Sequence, residues 1–166
     1  MSGYKNFAVV GAGHIGGFII RQLLTEKAAG TVNDVVVLTR QASSTSPSDA
    51  PTDSLSQGSK TTVDPAAKLI AVDYSNKESI KKALTGVDVV ISAIADTAIN
   101  AQPKIAEAAK EVGVKLFVPS EFGGPTEGET EGYSGAKANI HKQLKAIGIP
   151  YTLFYNGGFA DYIWVP

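Results

Sequence analysis

Phe7-Ala8-Val9-Val10-Gly11-Ala12-Gly13-His14-Ile15-Gly16-Gly17 is the stretch whose reading decides the fold. Phe7 to Val10 is a short apolar run that reads as a strand, and a glycine turn follows it at once. Ile15, Phe18, Ile19 and Leu23 then recur at helical spacing, so the order is strand, tight turn, helix. Each glycine has its own reason to be there. Gly11 takes the turn, Gly13 has no side chain to hold a pyrophosphate away, and Gly16 lets the helix pack close to the strand. A helix that starts there aims free N–H groups and its positive dipole end at the phosphates. The stretch therefore predicts a dinucleotide site. Its alternative is a glycine-rich turn without a ligand.

Beyond that turn, strands and helices alternate. Strand candidates are Val35 to Leu38, Lys68 to Val72, Asp88 to Ala95, Val114 to Val118 and Tyr151 to Tyr155. Helical segments lie near Lys77–Leu84, Ala98–Val112 and Gly135–Ile147. Near-continuous apolar strands between helices imply a parallel sheet covered on both faces. Gly113 and Gly148 stand where helix C-caps are expected, and Pro150 opens the last strand. The fold class predicted is α/β, a Rossmann-like doubly wound parallel sheet of six strands in the order 3-2-1-4-5-6. The 166 residues are most simply one domain. Gln41 to Asp64 breaks the pattern, being dominated by Ser, Thr, Pro and Asp, with Leu55 and Val63 as its larger apolar residues. It is expected to be a mobile loop (41–64) between strands 2 and 3, the alternative being a phosphorylated regulatory loop.

Composition narrows the function classes. A net charge of −1 argues against a nucleic-acid or anionic-membrane surface. The absence of cysteine removes disulfides, thiol catalysis and cysteine metal sites, and two histidines make a poor basis for a histidine metal site. With no signal-peptide layout and no apolar run long enough to span a bilayer, a cytoplasmic protein is expected.

Strand 2 ends Val37-Leu38-Thr39-Arg40. In the NAD version of this fold a carboxylate stands there and bonds the ribose 2′-hydroxyl. Arg40 instead offers a guanidinium that can fork onto a 2′-phosphate, with Ser43 and Ser44 as further donors, so NADP(H) is the cofactor expected. The other reading of Arg40 is a solvated surface arginine. Asp73, ending strand 3, is placed either to meet the adenine or to cap the helix after Tyr74.

Lys115-Leu116-Phe117-Val118-Pro119-Ser120-Glu121-Phe122-Gly123 resembles the strand-5 signature of the isoflavone reductase-like and NmrA-like proteins, which are atypical short-chain dehydrogenase/reductases. Two further stretches carry the resemblance: Lys137-Ala138 in a helix that leads to Gly148-Ile149-Pro150-Tyr151-Thr152, and Asn156-Gly157-Gly158-Phe159. The resemblance implies an NADPH-dependent oxidoreductase that transfers hydride to a small aromatic or carbonyl-type molecule. Gly11, Gly13, His14, Ile15 and Gly16 would hold the pyrophosphate and Arg40 the 2′-phosphate. Ala93 and Ile94 would lie along the cofactor ribose, Phe122 near the nicotinamide, and Lys137 at its ribose and the substrate, as the catalytic residue. Asn156, Gly157 and Phe159 would enter the substrate pocket. Val10 departs from the family, which often has a further glycine there. Family members also continue into a smaller C-terminal substrate domain, whereas this sequence stops at Trp164-Val165-Pro166. The expectation is a fragment or shortened form, with apolar surface exposed at Phe159, Tyr162, Ile163 and Trp164.

The chemistry rests on Lys137, the best acid–base candidate, since burial beside a cofactor favours the neutral amine that proton exchange requires. Tyr133-Ser134-Gly135-Ala136-Lys137 also has the Y-x-x-x-K spacing of ordinary short-chain dehydrogenases, in which Ser120 would orient a carbonyl. Against Tyr133 stand Gly132 and Gly135, which make a regular helix there uncertain, so an aromatic at a helix start is the alternative. His141 is expected to be a solvated helix histidine. Glu121 and the group Glu127, Glu129 and Glu131 are expected to be a solvated loop, and Gly123 to Gly132 a lid over the site. Two rivals to the enzyme are an NmrA-like dinucleotide sensor acting through a protein partner and an inactive truncated product.

Overall fold

The computed structural model describes residues 3–40 and 66–158, apart from the side chain of residue 96. The expected loop 41–64, with Ser43 and Ser44, lies outside the described residues, as do Phe159, Tyr162, Ile163 and Trp164.

Five strands form one parallel sheet: β1 (Asn6–Val10), β2 (Asp34–Arg40), β3 (Lys68–Val72), β4 (Val89–Ser92) and β5 (Leu116–Val118). Their order is β3-β2-β1-β4-β5. The helices are α1 (His14–Ala28), α2 (Lys77–Leu84), α3 (Gln102–Glu111) and α4 (Gly132–Ile147). The alternation of β1 shows why both faces are covered. Val9 points into a core with Ile20 and Leu24 of α1. Ala8 and Val10 point the other way, to Ile80 and Leu84 of α2, Ile105 of α3 and Leu144 of α4. Each of the buried Val, Leu and Ile side chains among these contributes roughly 1.5–3 kcal/mol.

The starts of three strands are tied together by one carboxylate. Asp88, just before β4, accepts from the main-chain N–H groups of Lys5 and Asn6, each at 2.9 Å, and from Asn6 Nδ2 at 3.1 Å. Its other oxygen meets Lys115 Nζ at 2.7 Å, beside the start of β5. These partners, Lys115 first, pull the Asp88 carboxyl down to about 2.

Element boundaries depart from expectation for local reasons. The sixth strand is reduced to one parallel bridge, Phe117 with Tyr151. β5 has only three residues and Pro119 ends its supply of donors, so the later segment pairs with the loop instead: Phe122 N–H donates to the Phe154 carbonyl at 3.0 Å. β4 stops at Ser92 because β1 turns away at Gly11. The expected helix Ala98–Val112 divides into a 3₁₀ turn, Asp96–Ala101, and α3, whose first turn carries Pro103. α4 starts at Gly132, three residues before the expected Gly135, and includes Tyr133. A Cβ at Gly135 would stand 2.5 Å from the Thr130 carbonyl carbon, so this glycine admits the incoming chain rather than breaking the helix. No helix among the described residues is long and apolar enough to cross a membrane.

Candidate functional site

A cleft of about 780 Å³ opens where β1, β2, β4 and β5 end, at the point where the sheet order reverses between β1 and β4. The glycine turn is its floor. Gly11 has φ +95° and donates its N–H to the Leu38 carbonyl at 3.0 Å. A Cβ on Gly11 would meet Ala93 O at 2.7 Å, and one on Gly16 would meet Gly11 O at 2.1 Å. Gly16 thus serves the site from behind, by letting α1 close on the turn. Gly13 is different: a Cβ there has nothing within 4 Å and points into open space. Gly13 is also the N-cap of α1, which begins with no side-chain cap and no acidic residue in its first turn. The positive end of α1 is therefore presented to the cleft unopposed, a fit for an anionic group.

The rim is built by the next two strand ends. Thr39 and Arg40 close β2, with Arg40 exposed and, among the described residues, in no ion pair. Tyr74 lies beside it, donating its hydroxyl to the Leu38 carbonyl at 3.1 Å; burial pushes the phenol up to about 12 against the opposing pull of Arg40. His14 and Ile15 line the cleft at the head of α1, the His14 ring meeting Phe18 edge-on at 5.0 Å. Asp73 stands outside the lining residues. Its Oδ1 accepts from Ser75 Oγ at 2.6 Å and Ser75 N–H at 2.8 Å, and these bonds lower its carboxyl. The capping alternative for Asp73 is overturned: Asn76 caps α2, accepting from the N–H groups of Glu78 and Ser79.

The far wall comes from the ends of β4 and β5 and from α4. Ala93 and Ile94 line it. Ser120 is pinned on both sides, its N–H donating to Gln102 Oε1 at 2.8 Å and its hydroxyl to the Ile94 carbonyl at 3.1 Å. Gln102, 1% exposed, is a support that the sequence reading missed; its placement at the head of α3 carried no signal of burial. Phe122 lines the cleft with φ +40°, a left-handed conformation that costs a non-glycine residue on the order of 1–3 kcal/mol. Lys137 is 8% exposed, donates its Nζ to the Glu121 carbonyl at 2.5 Å, and lies 4.6 Å from the centre of the Tyr133 ring. Tyr133 is itself exposed at the cleft, one turn before Lys137.

Two expectations are corrected here. Glu121 is not part of a solvated loop: it is 3% exposed, and its carboxylate accepts from His141 Nε2 at 2.7 Å and from the Thr126 hydroxyl at 3.0 Å. His141 is likewise buried, because the face of α4 that carries Lys137, His141 and Leu144 is the one packed inward. Glu127, Glu129 and Glu131 are exposed, as expected. Of the expected lid, Gly123 to Thr126 line the cleft. Asn156 and Gly157 are exposed and outside the lining, with Gly157 N–H donating to the Gly123 carbonyl at 3.1 Å. Phe159 is beyond the described residues.

The NmrA-like family model matches residues 4–164. The chain is 34% identical to Isoflavone reductase homolog P3 of Arabidopsis thaliana, over 95% of this chain and 49% of the relative. It is 35% identical to Phenylcoumaran benzylic ether reductase Pyrc5 of Pyrus communis, over 92% of this chain and 48% of the relative. The solved structure of AtPrR2 with NADP+ and (+)pinoresinol superposes with a TM-score of 0.71 at 27% identity, covering 98% of this chain and 53% of that one. The chain spans about half the length of the curated relatives it matches.

Proposed function

The chain belongs to the NmrA-like family, and from that we propose that residues 1–166 form the NADPH-binding domain of an isoflavone reductase-like oxidoreductase. The substrate class is a small aromatic or carbonyl-bearing molecule. One observation carries the reading: a single cleft brings together an uncapped helix start at Gly13, the guanidinium of Arg40 and the buried amine of Lys137. The NADP+ named with AtPrR2 supports the phosphorylated dinucleotide.

Gly11, Gly13, His14 and Ile15 would hold the pyrophosphate against the positive end of α1, and Arg40 the 2′-phosphate. When bound, the dinucleotide supplies a hydride from its nicotinamide. Everything else is the work of side chains. Ala93, Ile94 and Phe122 would form the wall against which the nicotinamide half lies. Phe122 and the loop through Thr126 restrict water on that side. Lys137 would give a proton to the atom of the substrate on which charge develops, and its bond to the Glu121 carbonyl sets where that proton stands. Tyr133 would lie next to the same atom, its ring fixing the direction of the amine. The substrate contacts assigned to Asn156, Gly157 and Phe159, and the place of Asp73 at the adenine, belong to the same proposal.

The test is NADPH consumption by the chain against benzylic ethers and aromatic carbonyl compounds, with Lys137→Ala beside it. Lys137→Ala is expected to bind NADPH within about threefold of the parent and to lose turnover by about two orders of magnitude or more, the usual worth of a general acid. Turnover retained in that variant removes Lys137 from the chemistry. NADPH binding with no turnover of any compound, together with cofactor-dependent capture of a protein partner, favours the regulator over the enzyme.

A further inference from the structure

Three bonds converge on one residue of the loop after β5. The Glu121 carbonyl takes Lys137 Nζ at 2.5 Å, one carboxylate oxygen takes His141 Nε2 at 2.7 Å, and the other takes the Thr126 hydroxyl at 3.0 Å. Lys137 and His141 are four residues apart on α4 and so meet Glu121 from one helix face, the first at its main chain and the second at its side chain. The His141 ring is in turn fixed by stacking on Tyr151, with centroids 6.5 Å apart. Glu121, Thr126, Lys137 and His141 are all buried, Glu121 most of all at 3% exposure, and Tyr151 is half-buried.

A buried acid and imidazole are a poor way to glue a loop to a helix, because well-packed apolar side chains of the same volume do this at least as well. What they supply is direction. A carboxylate held at both oxygens restrains the side chain and, through Cα, narrows the backbone positions open to residue 121, and the Lys137 bond completes the restraint at its carbonyl. The next residue, Phe122, is already in a left-handed conformation, which an unanchored loop would relax.

We propose that Glu121 and His141 are positioning residues: their buried pair aims the Glu121 carbonyl and so holds the Lys137 amine against the wall of the cleft. The functional meaning of that hold rests on Lys137 being the proton relay. Its physical content does not, and can be measured separately.

The measurement is the rate at which trinitrobenzenesulfonate modifies Lys137 in the whole chain, followed by mass spectrometry of its peptide. Lys142 and Lys145, exposed on the same helix, are the internal references. His141→Phe keeps a ring for Tyr151 and loses the N–H donor, whereas His141→Gln keeps a donor and loses the ring. We expect Lys137 to be modified about fivefold faster in His141→Phe, the equivalent of one lost hydrogen bond, and within about twofold of the parent in His141→Gln. Equal rates in parent and His141→Phe overturn the proposal, and so does a rise in His141→Gln as large as that in His141→Phe. If His141→Phe does not give the parent's far-ultraviolet dichroism, His141→Leu takes its place; failure of both to fold makes the pair a folding determinant and overturns its positioning role. NADPH titration of the same parent sample separates the two levels. Absence of binding with the expected labelling pattern removes the cofactor reading and keeps the clamp. Binding with unchanged labelling removes the clamp and keeps the reading.

Discussion

Gly13 and Gly16 stand three residues apart and do opposite jobs. A side chain on Gly16 collides with main-chain oxygen at 2.1 Å, which no rotamer change relieves. Gly16→Ala should therefore destabilise the fold by about 1–3 kcal/mol in urea unfolding, the usual cost of overpacking. A side chain on Gly13 enters empty space. Gly13→Val should leave stability within about 1 kcal/mol, the range of cap effects, while reducing NADPH binding below detection. Destabilisation by Gly13→Val equal to that by Gly16→Ala would contradict the assignment of this turn. Arg40 gives a second residue-scale expectation. Arg40→Glu replaces a fork for phosphate with a repelling carboxylate, and should weaken NADPH roughly 10- to 100-fold, the worth of a charge-assisted hydrogen bond, with NADH nearly unchanged. Equal losses for both would place Arg40 away from the 2′-phosphate. The places of these residues were legible because they are properties of the backbone: a turn, a helix start, a strand end. Glu121 and His141 were not, since burial is decided by which face of α4 meets the strand-5 loop. A signal for His141 did exist, in its position between Ala138 and Leu144 on the inward stripe of the helix.

At the scale of elements, the sheet is held at its lower end by Asp88. Its carboxyl stands at about 2 in the folded chain against an ordinary value of 3.8, so the folded state favours the ionised form. That stability is fully present above pH 4 and is lost as pH falls through about 2, and it amounts to about 2 kcal/mol. Between pH 4 and pH 2 the parent should lose about that much more than Asp88→Asn does, measured by urea unfolding at each pH. Parallel acid limbs would show that the clamp contributes nothing. The element order was read from the sequence because apolar strands and helical periods alternate cleanly. The boundaries were not, because each depends on a neighbour. β4 is as long as β1 permits, and the sixth strand fails where β5 runs out at Pro119. α4 gains its first turn because Gly135 lets Thr130 approach.

At the scale of the molecule, one cleft collects what six separate segments contribute, and the strand order is what brings them together. The loops after β1, β4 and β5 meet only because the sheet reverses between β1 and β4. The family model spans nearly the whole chain, and the chain covers about half the length of the two curated relatives reported above; what is proposed for these residues is the dinucleotide side of the cleft. That side is the central claim, and calorimetric titration of the chain with NADPH and then NADH tests it most directly. One site is expected, with NADPH bound at least about tenfold more tightly than NADH, the worth of one charge-assisted contact to the 2′-phosphate. Binding of neither, or equal binding of both, would contradict it.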